Sequence, residues 1–147
     1  MSAKRKSSKR SGTSNSSRPE APPLFIDRDA WSVRLGNALV ENGVPFVAHK
    51  QRFAHDSLDE EWIAAVGREG WIGITRDQNI RRKPNELAAI RASKAVIFVL
   101  TSGNLTAGAT AEILLKVLTR IRNTAAGAKR PALFSIHRDG RTSPLRL

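Results

Sequence analysis

Three aspartates, Asp27, Asp59 and Asp77, stand where carboxylates can do chemistry. Asp27 ends the short apolar run Leu24-Phe25-Ile26, and Asp77 lies two residues beyond the run Trp71-Ile72-Gly73-Ile74-Thr75. Asp59 opens the segment Asp59-Glu60-Glu61-Trp62. Carboxylates crowded together repel one another, so a cluster of them is costly without a cation. Oxygen-rich sites of this kind suit Mg²⁺ or Mn²⁺. Two such ions, about 4 Å apart, can clamp a phosphodiester, generate hydroxide and stabilise the leaving oxygen.

Whether the three acids meet depends on the elements that carry them. Leu24 to Ile26 reads as a buried strand, followed by a helix from about Ala30 to Asn42 with Gly43 as its stop. Val44 to Ala48 is a second strand, and His49 to Asp56 a polar loop. Ser57 and Glu60 match a capping box for a helix that ends near Glu69, before Gly70. Trp71 to Thr75 is a third strand, and Arg76 to Lys83 a polar loop. Pro84 suits the first position of a helix to about Ala92. A fourth strand over Ala95 to Leu100, a helix from about Ala107 to Asn123 and a last strand over Leu133 to His137 complete the order.

Short apolar strands alternating with helices predict an α/β fold, with a mostly parallel sheet covered on both faces. Ligands of such sheets bind beyond the carboxyl ends of the strands. Asp27 and Asp77 follow two of those ends. The helix opened by Asp59 feeds the far end of the third strand, so its start lies at the same edge.

Other acids have plainer readings. Asp29 is placed to cap the first helix, and Glu60 to complete the capping box. Asp59 itself is favourable at a helix start through the dipole alone. Asp56, Glu61 and Glu69 read as solvated, and Glu86 as a first-turn acid. Glu112 and Asn79 are candidates for a fourth ligand. Arg76, Arg81, Arg82 and Lys83 surround Asp77 and would hold phosphate beside a metal, or form a solvated basic loop. His49, His55 and His137 have no ligand spacing, and Trp31, Trp62 and Trp71 fall on core stripes. Gly-rich phosphate loops are absent from the sequence.

The net charge of +12 over 147 residues favours a polyanionic partner, nucleic acid above all. Residues 1–20 carry a net +5 of it, so the rest is basic in its own right. With little to bury, residues 1–22 read as a disordered basic arm, and residues 23–147 as one domain. The chain has no cysteine, which excludes disulfides, thiolate metal sites and a thiol nucleophile. It has no apolar run of membrane-spanning length and no secretory h-region, so a cytoplasmic location is expected.

Phe25-Ile26-Asp27-Arg28-Asp29, Asp59-Glu60-Glu61-Trp62 and Gly70-Trp71-Ile72-Gly73-Ile74-Thr75-Arg76-Asp77 together resemble a PIN-like domain. The similarity runs from about Leu24 to Arg141 and is nearest the VapC-type toxin ribonucleases, beside the Mut7-C group. The resemblance implies a three-layer α/β/α fold and a metal-dependent endoribonuclease, the toxin of a toxin–antitoxin pair. It implies Asp27, Asp59 and Asp77 as catalytic Mg²⁺ or Mn²⁺ ligands, an RNA substrate, a cognate antitoxin and a homodimer. Gln78-Asn79 stand where relatives carry a second acid, so the fourth ligand has no counterpart there. Two other readings compete: a non-catalytic PIN-like RNA-binding or regulatory module, and a phosphoacceptor receiver domain. The receiver would need a Lys closing the fifth strand, where His137-Arg138 stand.

Overall fold

The structure is a computed structural model that describes residues 21–102 and 105–147. Most of the expected basic arm lies outside the described residues, as do Gly103 and Asn104. The described elements are, in chain order, β1 (Leu24–Ile26), α1 (Val33–Glu41), β2 (Phe46–Ala48), α2 (His49–Arg52) and α3 (Asp59–Glu69). Then come β3 (Ile72–Thr75), a 3₁₀ turn (Ile80–Arg82), α4 (Pro84–Ala92), β4 (Val96–Leu100), α5 (Ala107–Lys116), α6 (Leu118–Gly127), β5 (Ala132–Ile136) and β6 (Thr142–Leu145).

The strands form one sheet in the order β2-β1-β3-β4-β5-β6. The first five are parallel, and β6 runs antiparallel on β5. The chain steps outward from β1 to β2, then returns to place β3 on the other side of β1. The direction of winding therefore reverses between β1 and β3. A crevice opens at such a reversal, beyond the carboxyl ends of the two strands.

Alternation along the strands divides the core between two faces. Leu24 and Ile26 of β1, Ile72 and Ile74 of β3, and Val96 and Phe98 of β4 pack with Leu35 and Leu39 of α1 and with Ile113 and Ile121 of α5 and α6. Phe25, Ile97 and Val99 face the other way, against Trp62, Ile63 and Val66 of α3 and Ile90 of α4. This is the expected three-layer α/β/α arrangement. Gly73 lets α3 approach closely, since a Cβ there would lie 3.1 Å from Ile97 Cγ1 and 3.5 Å from the Trp62 ring. Gly70, at φ +73°, ends α3 in the left-handed conformation its position predicts.

Five details depart from the sequence reading. Ser32, not Asp29, caps α1: its hydroxyl accepts from Leu35 N at 2.9 Å. Ser57 does not cap α3, whose N-cap is Leu58, and its hydroxyl lies 3.3 Å from His49 Nε2 instead. The expected loop after β2 begins with the short helix α2. The long helix from Ala107 breaks at Val117 because the turn after β5 docks there. Gly140 leaves room only for hydrogen beside Val117 Cγ1, and its carbonyl accepts from Arg120 Nη1 at 2.8 Å. That turn leads into β6, an edge strand that sequence pattern hides because Pro144 interrupts it.

Candidate active site at the strand ends

Asp27 extends the pairing of β1 with β3, since its N–H donates to Ile74 O at 2.9 Å. This bond brings its carboxylate beside the last residue of β3, Thr75, which is fully buried. Thr75 Oγ1 donates to Asp27 Oδ2 at 2.9 Å and accepts the Asp77 N–H at 3.2 Å. Asp27 Oδ1 accepts the N–H of Arg28 at 2.8 Å.

Asp29 is the residue that sequence reasoning set aside. Because Ser32 caps α1, the side chain of Asp29 is released from that duty and turns back across the strand ends. Its oxygens lie 3.3 and 3.4 Å from Thr75 Oγ1, and Oδ1 accepts Arg76 N–H at 3.0 Å. A hydroxyl carries one proton, so Thr75 cannot serve both carboxylates at once. Burial, and then the charge of Asp29, push the Asp27 carboxyl up to about 7. Asp29 is raised too, by desolvation where its carboxyl turns inward and by the charge of Asp77, against the opposing Arg76 N–H bond. The signal in the sequence was the Asp-x-Asp spacing, which a cap three residues later leaves available.

The other two acids named from sequence reach the same edge but are held by cations. Asp59, in the first turn of α3, accepts Arg28 Nη2 at 2.7 Å and Trp62 Nε1 at 3.1 Å, both on Oδ1. Arg28 Nη1 also reaches His49 Nε2 at 3.0 Å and the carbonyls of His55 and Ser57 at 2.9 and 3.1 Å. One guanidinium thus ties the 49–59 segment to the end of β1. His49 is buried beside it, and desolvation, then the Arg28 charge, lower its pKa. Asp77 accepts Asn79 N–H on Oδ1 at 3.0 Å and Lys83 Nζ on Oδ2 at 2.7 Å.

Glu86, in the first turn of α4, joins this group electrostatically. Its pKa is raised by desolvation and then by the charge of Asp59, with Glu60 and Asp77 adding to the rise. Glu112 is not part of the group; it is exposed on α5, in a groove against α1. Asn79 contributes its backbone N–H to Asp77 and is exposed. Of the basic residues, Arg76 sits against Asp29 through its N–H, Arg81 Nη1 donates to Arg146 O at 3.3 Å, and Arg82 is exposed.

An all-carboxylate donor set is the right chemistry for a hard divalent ion. Asp27 and Asp29, crowded on one hydroxyl, are also short of the positive charge such an ion supplies. The geometry is less complete, because among the described residues no three His, Asp or Glu side chains come close enough together to hold a metal ion.

A family model described as a PIN like domain matches residues 22–102, more than half of the chain. The chain belongs to the PIN-like domain family. That assignment decides against the receiver reading, whose strand-end acids would look alike in sequence. This PIN-like domain is 26% identical over 118 residues to a protein of Mycobacterium tuberculosis (strain ATCC 25618 / H37Rv) named "Putative ribonuclease VapC45", covering 78% of the chain and 85% of that protein. No solved structure matches the chain at a significant level. The matched segment ends just after β4, so it contains β1, α3 and β3 and with them Asp27, Asp29, Asp59 and Asp77. No helix among the described residues is long and apolar enough to cross a membrane.

Proposed function

We propose that this PIN-like domain is a metal-dependent endoribonuclease, the toxin of a toxin–antitoxin pair, which cleaves RNA at the acidic edge of its sheet. The observation that carries the reading is the meeting of Asp27 and Asp29 on Thr75, at the point where the winding of the sheet reverses. The similarity to a VapC-named protein supports RNA as the substrate and an antitoxin as the partner. An acidic antitoxin segment would suit a chain of net charge +12.

Mg²⁺ or Mn²⁺ would be held by Asp27, Asp29 and Asp77, with Asp59 across the crevice, and would supply an activated water and charge neutralisation. The protein's own contribution is positional. Thr75 places its one hydroxyl between two carboxylates and donates to Asp27. Arg28 carries Asp59 to the site from a different element. Arg76, Arg81 and Arg82 line the approach with positive charge for the RNA backbone.

The test is cleavage of single-stranded RNA by the purified full chain in Mg²⁺ or Mn²⁺. Asp27→Asn combined with Asp77→Asn should abolish cleavage while leaving the protein folded. Cleavage that survives the double substitution would sink the proposal. The incomplete assembly of the carboxylates favours a second reading, a non-catalytic RNA-binding module. That reading predicts metal-independent RNA binding and no cleavage by the unsubstituted protein.

A further inference from the structure

Lys83 occupies an unusual position for a residue of a polar loop. Its ammonium lies 2.7 Å from Asp77 Oδ2, and the charges of Glu86 and Asp59 also act on it. Those three acids come from the end of β3, the start of α4 and the start of α3. Lys83 is thus the cation shared by three separate elements at the edge of the sheet. Yet it is not built in: its side chain is 46% exposed, while that of Asp77 is 18% exposed. A long, half-exposed lysine costs little to move, and an exposed ion pair of this kind contributes little to stability.

Each carboxylate oxygen of Asp77 already has a donor. Oδ1 accepts Asn79 N–H and Oδ2 accepts Lys83 Nζ. Oδ1 shares its contact with a backbone donor that is fixed by the turn. Oδ2 shares its contact with a donor that is free to swing away. The same turn anchors Asp77 beside Thr75, the hydroxyl that gathers Asp27 and Asp29.

We infer that Lys83 is a tethered counter-cation that holds Asp77 in the metal-free protein and is displaced when a divalent ion binds. This inference rests on the metal-site reading above and explains why three carboxylates stand at one edge without converging. The ammonium and the ion compete for one oxygen, Asp77 Oδ2. The lysine lowers the affinity of the site for metal and offsets part of the repulsion among the acids until metal arrives. Half-occupancy of the site is then shifted to a higher free concentration of divalent ion than a bare carboxylate set would need.

Binding of Mn²⁺ to the full-length protein, followed by the loss of the free-ion electron paramagnetic resonance signal, separates the possibilities. Lys83→Met should bind Mn²⁺ about fivefold more tightly than the unsubstituted chain, the upper range for an exposed ion pair. Lys83→Arg, which retains the charge, should stay close to the unsubstituted protein. The gain should vanish in the Asp77→Asn background, because the lysine then has no shared oxygen to vacate; a merely structural role for Lys83 would not produce that dependence. Equal affinity in Lys83→Met and the unsubstituted chain, with saturable Mn²⁺ binding in both, overturns the inference and leaves the metal site standing. A gain that persists in the Asp77→Asn background also overturns it. No saturable Mn²⁺ binding in any of the five proteins overturns both the inference and the metal-site reading.

Discussion

The acids at the sheet edge fall into two halves that solve the same problem differently. Asp27 and Asp29 are brought together by strand pairing at one neutral hydroxyl, and burial raises both, with the charge of Asp29 adding to the rise of Asp27 and that of Asp77 to the rise of Asp29. Asp59 and Asp77 are each held by a cation of the protein itself, Arg28 and Lys83. The difference is one of origin. Asp27 comes from a strand end and cannot retreat, because its backbone belongs to the ladder. Asp59 and Asp77 sit on a helix start and a turn, where long basic side chains can reach them. The rigid half stores electrostatic cost, and the adjustable half sets a cation of the protein against each of its acids. A site that must accept a cation gains from having its unpaired charges where they cannot relax.

The comparison can be broken at three points. The largest expected effect is on stability against pH. With metal chelated, native Asp27 keeps its proton to about pH 7, whereas an unfolded chain loses it near its ordinary value of 3.8. The native state therefore binds more protons in that window, and stability must fall as pH rises from about 4 to about 7, by a few kcal/mol. Asp27→Asn should flatten that fall and leave the protein more stable at pH 8. Urea unfolding across pH 4 to 8 measures both curves, and parallel curves would show that Asp27 bears no such cost.

Next comes the adjustable half. Arg28→Ala removes the ion pair with Asp59 and releases the two carbonyls that hold the 49–59 segment. A loss of about 2 kcal/mol is expected, given charged hydrogen bonds with partial burial. Arg28→Lys should recover little of it, because one ammonium cannot span those acceptors in the fork geometry of a guanidinium. A loss below about 0.5 kcal/mol would mean that Arg28 does not hold this half.

The smallest effect sharpens the rigid half. Thr75→Val keeps the shape of the strand end but removes the hydroxyl shared by Asp27 and Asp29. Cleavage or divalent-ion affinity should fall about tenfold, as for the loss of a residue that orients ligands. Unchanged affinity would indicate that the carboxylates are oriented by the backbone N–H groups of Arg28 and Arg76 alone.

Much of the fold was legible. The short apolar runs over 24–26, 71–75 and 95–100 mark buried strands, and Gly70 marks a helix end. The antiparallel β6 was not legible, because Pro144 and three polar neighbours at the chain end lack strand pattern. The break at Val117 depends on a turn some twenty residues away, which no local window contains. At the site, Asp27 and Asp77 could be placed from topology, since each follows a strand. Asp29 could not, because an aspartate before a helix is an ordinary cap, and only the true cap at Ser32 frees it. Lys83 was legible only as one of four basic residues around Asp77, and Arg28 not as a partner of Asp59; the partners lie 6 and 31 residues away and the pairs form only in the folded chain.

The sequence by itself determined the alternation of strands and helices through the parallel part of the sheet, the sign of the charge, and the presence of carboxylates at two strand ends. These follow from side-chain periodicity and composition, which are local. Which carboxylates share a hydroxyl, and which are held by a lysine or an arginine, was decided by the tertiary structure. Pairing of β1 with β3 fixes distances between groups 48 residues apart, as between Asp27 and Thr75, and charges act on one another through space rather than along the chain.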